Sequence, residues 1–354
     1  MEACYINGLG CISAQHTADN HQFLEQIVIY DKNILTAINP NYKEYIPPAA
    51  ARRMAKGVKM GVVASSLALK EAQIDKPDAI ISGTGMGCLQ DSEKFVSAMI
   101  DDDEEFLTPT SFIQSTHNTV GAQIALGLQC KAYNFTYVHA AISFESCLID
   151  AQLKFNENEA NQILVGGVDE QGAHTYGLHE KIEHIKNEKV NTFDIKNSSS
   201  SGAVFGEGAS FFVLSNIKQK NTYAQLTDVE IISQLNPELL NSRIEAFLES
   251  NQLSVQDIDA IILGLNGDVD YDHYYAHLQN SIFSNTQQLY YKHLCGEYNT
   301  ASSFGFCLGA HVIKHQHTPQ AVVLNDVDSR EYNNVLLYNQ YRGLNHSLVL
   351  MQSC

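Results

Sequence analysis

Apolar residues fall in short runs closed by glycine, and longer stretches between them repeat with helical spacing. Residues 3–13 (ACYINGLGCIS) and 78–87 (DAIISGTGMG) read as buried strands running into glycine turns. Met54, Val58, Val62, Leu67 and Leu69 predict an amphipathic helix over residues 52–73, and a second helical pattern covers 110–128. Residues 132–170 read as a strand, a tight turn at 139–142, a helix from Ser143 and a second strand ending at Gly166-Gly167. The charged run at 101–105 (DDDEE) is expected as an exposed loop. The Ser198 to Ser201 run is expected as another, before a turn at 206–208 and a strand of strong β formers. Further short strands are predicted at 260–266, 287–291, 321–324 and 347–351. Strands alternating with helices imply mainly parallel sheets covered on both faces.

The pattern occurs twice. Residues 68–85 (ALKEAQIDKPDAIISGTG) parallel 247–267 (FLESNQLSVQDIDAIILGLNG), with Asp78 and Asp259 as the matching positions half a chain apart. Two pseudo-equivalent α/β halves follow, placed at 1–218 and 219–354, and 354 residues are more than one core usually takes.

Composition narrows the function. No apolar run approaches the length of a membrane span, and Met1 leads directly into a strand pattern, which predicts a cytoplasmic protein without a signal peptide. The formal charge of -18 repels nucleic acid and anionic membranes. Arg52, Arg53, Lys56 and Lys59 form the one dense basic cluster, read either as a solvated helix face or as a docking site for an acidic partner. Eight cysteines without a C-x-x-C pair suggest reduced, partly buried thiols. No metal or cofactor is expected. His311, His315 and His317 read as surface imidazoles, Asp268 to Asp272 lacks the glycine and the twelfth-place glutamate of a calcium loop, and ISGTGMG matches no phosphate-binding fingerprint.

A strand-turn-helix such as 139–142 is where a nucleophile commonly sits, because free N–H groups at the helix start stabilise an oxyanion. Here it holds His139-Ala140-Ala141. The ordered series INGLGCIS, RRM, ISGTGMG, VGGVDE, FGEGASFFVLS and GLNHSLVL resembles the β-ketoacyl synthases of the thiolase fold over nearly the whole chain. The resemblance implies two fused βαβαβ halves in αβαβα layers, with a catalytic cysteine at the turn and two histidines from the second half. Those positions hold Ala141, Asn266 and Glu297, while the family lysine is kept as Lys292. The gatekeeper turn reads Tyr341-Arg342-Gly343, with arginine where the family has glycine.

What the resemblance implies is a non-catalytic subunit of chain-length-factor type. It would pair with an active ketosynthase in polyketide, aryl-polyene or fatty-acid-like elongation, and acyl carrier protein would dock mainly on the partner. The family's dimer seam corresponds to residues 133–138, where Tyr133, Phe135 and Tyr137 alternate, and Phe112, Ile113 and Gln114 become tunnel-wall positions. Two alternatives stand beside this reading. One is an acyltransferase using Ser143 or Cys147 with Glu297 as base, although Ser143 also suits a helix cap and Cys147 a core thiol. The other is a homodimeric acyl-binding scaffold. His139 and His293 lie beside the catalytic positions and read as functional or structural.

Overall fold

The computed structural model describes residues 2–327 and 331–354. Its strands are β1 (Tyr5–Ile12), β2 (Ala79–Gly83), β3 (Tyr133–Tyr137), β4 (Gln162–Asp169) and β5 (Gly208–Ser215), then β6 (Gln225–Ser233), β7 (Ala260–Leu263), β8 (Gln287–Tyr290), β9 (Asn334–Tyr341) and β10 (Asn345–Gln352). The spatial order is β3-β2-β4-β5-β1, continuing as β6-β10-β9-β7-β8. Replacing each strand of the second five by its counterpart in the first regenerates the same order reversed, which is a pseudo-twofold. The two sets meet through a single pairing of Tyr5 with Gln225.

The matching aspartates do the same work in each half. Asp78 Oδ2 accepts the backbone N–H groups of Asn161 (2.9 Å) and Gln162 (3.0 Å). Asp259 Oδ2 accepts those of Asn333 (2.7 Å) and Asn334 (2.8 Å). Each carboxylate thus fastens the start of the inner parallel strand to the strand beside it.

Helices divide the fold into layers. Ser143–Asn156 and Ser302–His315 lie in the central core, where Phe144, Cys147, Leu148 and Phe155 share one cluster with Phe304, Phe306, Cys307 and Leu308. Ser302 through Ile313 are all buried, so that helix has no polar face. Lys56–Ala72 and Thr119–Leu128 cover the first half, and Leu240–Ser250 and His273–Asn280 cover the second. This is the five-layer α/β architecture expected from the resemblance. Close layer approach requires glycine at Gly8, where a Cβ would lie 2.3 Å from the Ala68 carbonyl oxygen.

Several local expectations change. The sheet is mixed: β2 pairs in parallel with β3 and β4, and β7 with β8 and β9, whereas the pairs involving β1, β5, β6 and β10 are antiparallel. The β9–β10 turn is too short for a parallel crossover. The helix expected from Arg52 starts at Lys56, after a short turn of helix at Pro48–Ala51. The stretch 110–128 is two helices, Pro109–Ser115 and Thr119–Leu128, broken where Thr116 turns extended. The Thr119 hydroxyl reaches the Ile113 carbonyl at 2.7 Å across that break. Residues 321–324 supply only a 3-10 turn and one bridge, Leu289 to Val323. The strands β6 and β9 and the helices Leu89–Asp101 and His273–Asn280 are additions.

Candidate functional site

At the turn after β3, Ala140 takes a left-handed backbone (φ 47) and faces a cavity of about 230 Å³, while Ala141 is buried. The apex is therefore one residue earlier than Ala141. Ser143 explains the offset: its hydroxyl accepts the His139 N–H (2.8 Å) and lies within donating distance of the Thr84 carbonyl (2.9 Å), tying the turn to the end of β2. It does not cap its helix, whose N-cap position is Ile142. Ser143 is fully buried and engaged, and Cys147 is a buried thiol donating to the Ser143 carbonyl (3.1 Å), pushed well above its ordinary pKa by burial. Neither reaches the cavity. Ala140→Cys is expected to be alkylated by iodoacetamide at neutral pH and Ala141→Cys to be protected, as read by intact mass.

Glu297 also lines the cavity, and the structure brings Asn266, Lys292 and Glu297 together. Glu297 Oε2 accepts from Lys292 Nζ and from Asn266 Nδ2, both at 2.6 Å, and all three residues are buried. Lys292 and Glu297 form an ion pair shielded from water. Asn266 is held in turn: Asp272 accepts the N–H groups of Asn266 (3.3 Å) and Gly267 (2.7 Å), and burial pushes the Asp272 carboxyl up to about 7. The result is a cross-linked polar knot with no imidazole in it.

Asp169, Glu170, Tyr176, His179 and Phe205 complete much of the wall. Asp169 accepts from Gly85 N–H, the Thr84 hydroxyl and both the N–H and hydroxyl of Thr300, at 2.8 to 3.0 Å, so it stitches β4 to two loops. The Tyr176 hydroxyl donates to the Gly206 carbonyl (2.7 Å). Carboxylates at the end of the apolar run VGGVDE were a visible signal for Asp169 and Glu170. Tyr176 and His179 come from a helix, Ala173–Lys181, with no apolar period to mark it.

Burial, helped by nearby Asp91 and Glu207, pushes the Glu170 carboxyl up to about 7 against the N–H groups of Gly57 and Gln90 that it accepts. The folded state thus holds a proton that the unfolded chain releases near pH 4.5, so stability falls as pH rises from there through 7. Glu170→Gln is expected to flatten the decline between pH 5 and pH 8 by about 1 to 3 kcal/mol. Urea titrations at both pH values read the slope directly.

The remaining predicted residues divide. Tyr341 lines the cavity, but Arg342 turns away to pair with Asp268 (3.3 Å) and stack over Tyr271 (4.6 Å), with Gly343 completing the hairpin at φ 64. Phe112 and Ile113 are exposed, whereas Gln114 is buried and accepts the Ala55 N–H (3.1 Å), which makes it a structural link. On β3, Tyr133, Phe135 and Tyr137 form one row, with successive ring centroids 6.1 and 4.9 Å apart.

Arg52 and Arg53 are exposed, but Lys56 pairs with buried Glu207 and Lys59 sits over the Tyr42 ring (5.8 Å), so the basic cluster keeps two free members. His293 is buried, stacked on Tyr290 at 3.7 Å and pushed down to about 3 by burial; His139 is exposed and outside the cavity. His311 is buried against Phe23 (4.0 Å), unlike exposed His315 and His317. Among the described residues no three side chains are grouped to hold a metal, and no helix is long and apolar enough to cross a membrane.

Residues 35–220 match the β-ketoacyl synthase N-terminal domain. No curated protein matches the chain. Three solved structures share its fold along its whole length. A β-ketoacyl synthase from Burkholderia phymatum STM815 is 14% identical, with TM-score 0.83 and 100% of both chains covered. The ishigamide ketosynthase/chain length factor is 15% identical, with TM-score 0.82 and 99% of that chain covered. The ketosynthase ApeO in complex with its chain length factor ApeC, from Xenorhabdus doucetiae, is 16% identical, with TM-score 0.80 and 98% covered. With the domain matched across more than half its length, on this fold and around this cavity, the chain belongs to the β-ketoacyl synthase family.

Proposed function

We propose that this chain is a non-catalytic ketosynthase-like subunit, of chain-length-factor type, that pairs with an active synthase and shapes the acyl tunnel between them. The observation that carries the reading is the cavity itself. Its apex is alanine, Ser143 and Cys147 are buried away from it, and Asn266, Glu297 and Lys292 are locked to one another. Such a site presents no cysteine or serine nucleophile, and the positions the resemblance gives to the family's two histidines hold side chains already engaged with each other. The ApeO–ApeC complex supports pairing as the use of this fold.

The seam would be β3. It stands at one end of the sheet order and, among the described residues, pairs only with β2, which leaves its outer edge open to a second sheet. Acyl carrier protein, being acidic, would dock mainly on the partner, because only Arg52 and Arg53 of the basic cluster are free here. The partner supplies the cysteine and histidines, and the elongating system is of polyketide, aryl-polyene or fatty-acid type.

Intact mass after incubation with acyl-carrier thioesters tests the reading. No covalent acyl adduct is expected on this chain, while a co-expressed ketosynthase with its cysteine intact is acylated and co-purifies. A stoichiometric adduct on this chain, lost in Ser143→Ala or Cys147→Ala, would overturn it.

A further inference from the structure

An alanine apex removes covalent acyl transfer from this cavity, but attack by water needs no side-chain nucleophile, only an oriented base. Of the acids and bases on the wall, Asp169 and Glu170 accept hydrogen bonds at both carboxylate oxygens, and Glu297 is tied to Lys292 and Asn266. His179 differs, because its Nε2 has no partner among the described residues. Its Nδ1 lies 3.1 Å from Nδ1 of His184, so one ring donates its Nδ1–H to the other. The pair is held firmly. The His184 N–H donates to the His179 carbonyl and the His184 carbonyl accepts the Ala203 N–H, both at 2.9 Å. The His179 ring stands edge to face with Tyr176 and packs against Phe205, with centroids 6.4 and 5.3 Å apart.

This arrangement suits proton acceptance. With Nδ1–H donated to His184, the lone pair of His179 is on Nε2, and the imidazolium formed when Nε2 gains a proton keeps its Nδ1–H on a neutral acceptor. The charged and titratable neighbours of His179 are His184, Tyr176 and Arg342. Burial, helped by the Arg342 charge, pushes both imidazoles below the ordinary 6.5, which favours the free base at neutral pH. The same wall carries the Tyr341 hydroxyl, also without a partner among the described residues. Burial pushes its pKa up to about 12, so it stays a donor. Met86, Leu89 and Phe205 give the cavity its apolar lining.

We propose that this chain hydrolyses a compact thioester in the cavity, with His179 as the general base for water, His184 as the residue that positions it and the Tyr341 hydroxyl donating to the thioester carbonyl oxygen. His179 Nε2 takes a proton from water as the water oxygen bonds to the carbonyl carbon. The C–S bond then breaks, the sulfur leaves with the proton returned by the imidazolium, and a carboxylic acid and a thiol are released. No acyl-enzyme forms. The choice of a thioester rests on the ketosynthase-like reading, whereas the base is defined by the wall of the cavity.

The test incubates the chain alone with butyryl-N-acetylcysteamine in isotopically labelled water and follows labelled butyrate by mass spectrometry. Butyrate is expected to form about 100-fold faster than in buffer, the rate rising with pH to a plateau with its midpoint below 6.5. His179→Gln is expected to fall to within about two-fold of buffer, and added imidazole to restore part of the activity of His179→Ala, a rescue that a misfolded variant would not show. His184→Leu is expected to lower kcat and move the midpoint, and His184→Asn, which keeps a polar atom near the place of Nδ1, to recover both. A rate no higher than buffer, or one unchanged in His179→Gln, overturns the proposal and leaves the pairing reading standing. A midpoint that His184→Leu does not move overturns the role of His184. An acyl adduct on the chain during turnover overturns both the proposal and the reading of a cavity without a nucleophile.

Discussion

Lys292→Met is expected to cost this protein about 3 to 5 kcal/mol of folding stability, because it removes one member of a fully buried ion pair and leaves the other without compensation. Lys292 and Glu297 are 0% and 3% exposed, and their 2.6 Å contact has no access to bulk water. Asn266 would still donate to Glu297, but an amide hydrogen bond offsets only part of the cost of a buried carboxylate. The double variant Lys292→Met/Glu297→Gln removes both charges and is expected to recover most of the loss. Urea midpoints at constant m-value measure both effects. A single-variant loss below about 1 kcal/mol would show that the pair does not hold the loop carrying Glu297 in place.

Phe135→Asp is expected to weaken pairing with the ketosynthase by about 30-fold to 1,000-fold while leaving the isolated chain folded. Phe135 is the middle ring of the row on β3 and is 45% exposed, so the monomer does not depend on its burial. At a seam, the central aromatic of such a row is the type of anchor whose truncation costs about 2 to 4 kcal/mol, and aspartate adds a desolvated charge. Size-exclusion chromatography with light scattering reads the loss of the pair, and unchanged thermal unfolding of the variant alone shows that β3 still pairs with β2. Unchanged pairing would move the seam away from this strand.

Local patterns were read more securely than the contacts that orient them. The strand, turn and helix around residues 139–142 follow from short-range hydrophobic spacing, whereas Lys292 and Glu297 stand out only through the family resemblance and their contact is seen in the structure alone. The apex slipped by one residue because Ser143 is anchored to Thr84 on a strand far away in sequence, and no local period encodes that bond. The resemblance put Gln114 on the tunnel wall, but the break at Thr116 makes Pro109–Ser115 a separate helix that turns Gln114 inward to the Ala55 N–H, a contact no local period encodes. The strand β9 begins with asparagine beside a polar flank and was passed over, while residues 321–324 look strand-like but find only one bridge. Tyr176 and His179 reach the cavity from a helix whose polar and apolar residues have no clear order.

The single pairing that joins the two halves has a topological consequence. Gln225, the first residue of β6, is opposite Tyr5 at the start of β1 and opposite Gln352 at the end of β10. The outer ends of the first and last strands therefore flank the same residue, and the path of the chain nearly closes into a ring. A circular permutant opened between Ser215 and Gln225 and joined across those ends would retain every strand pairing, with Asp78 and Asp259 each still fastening its own half.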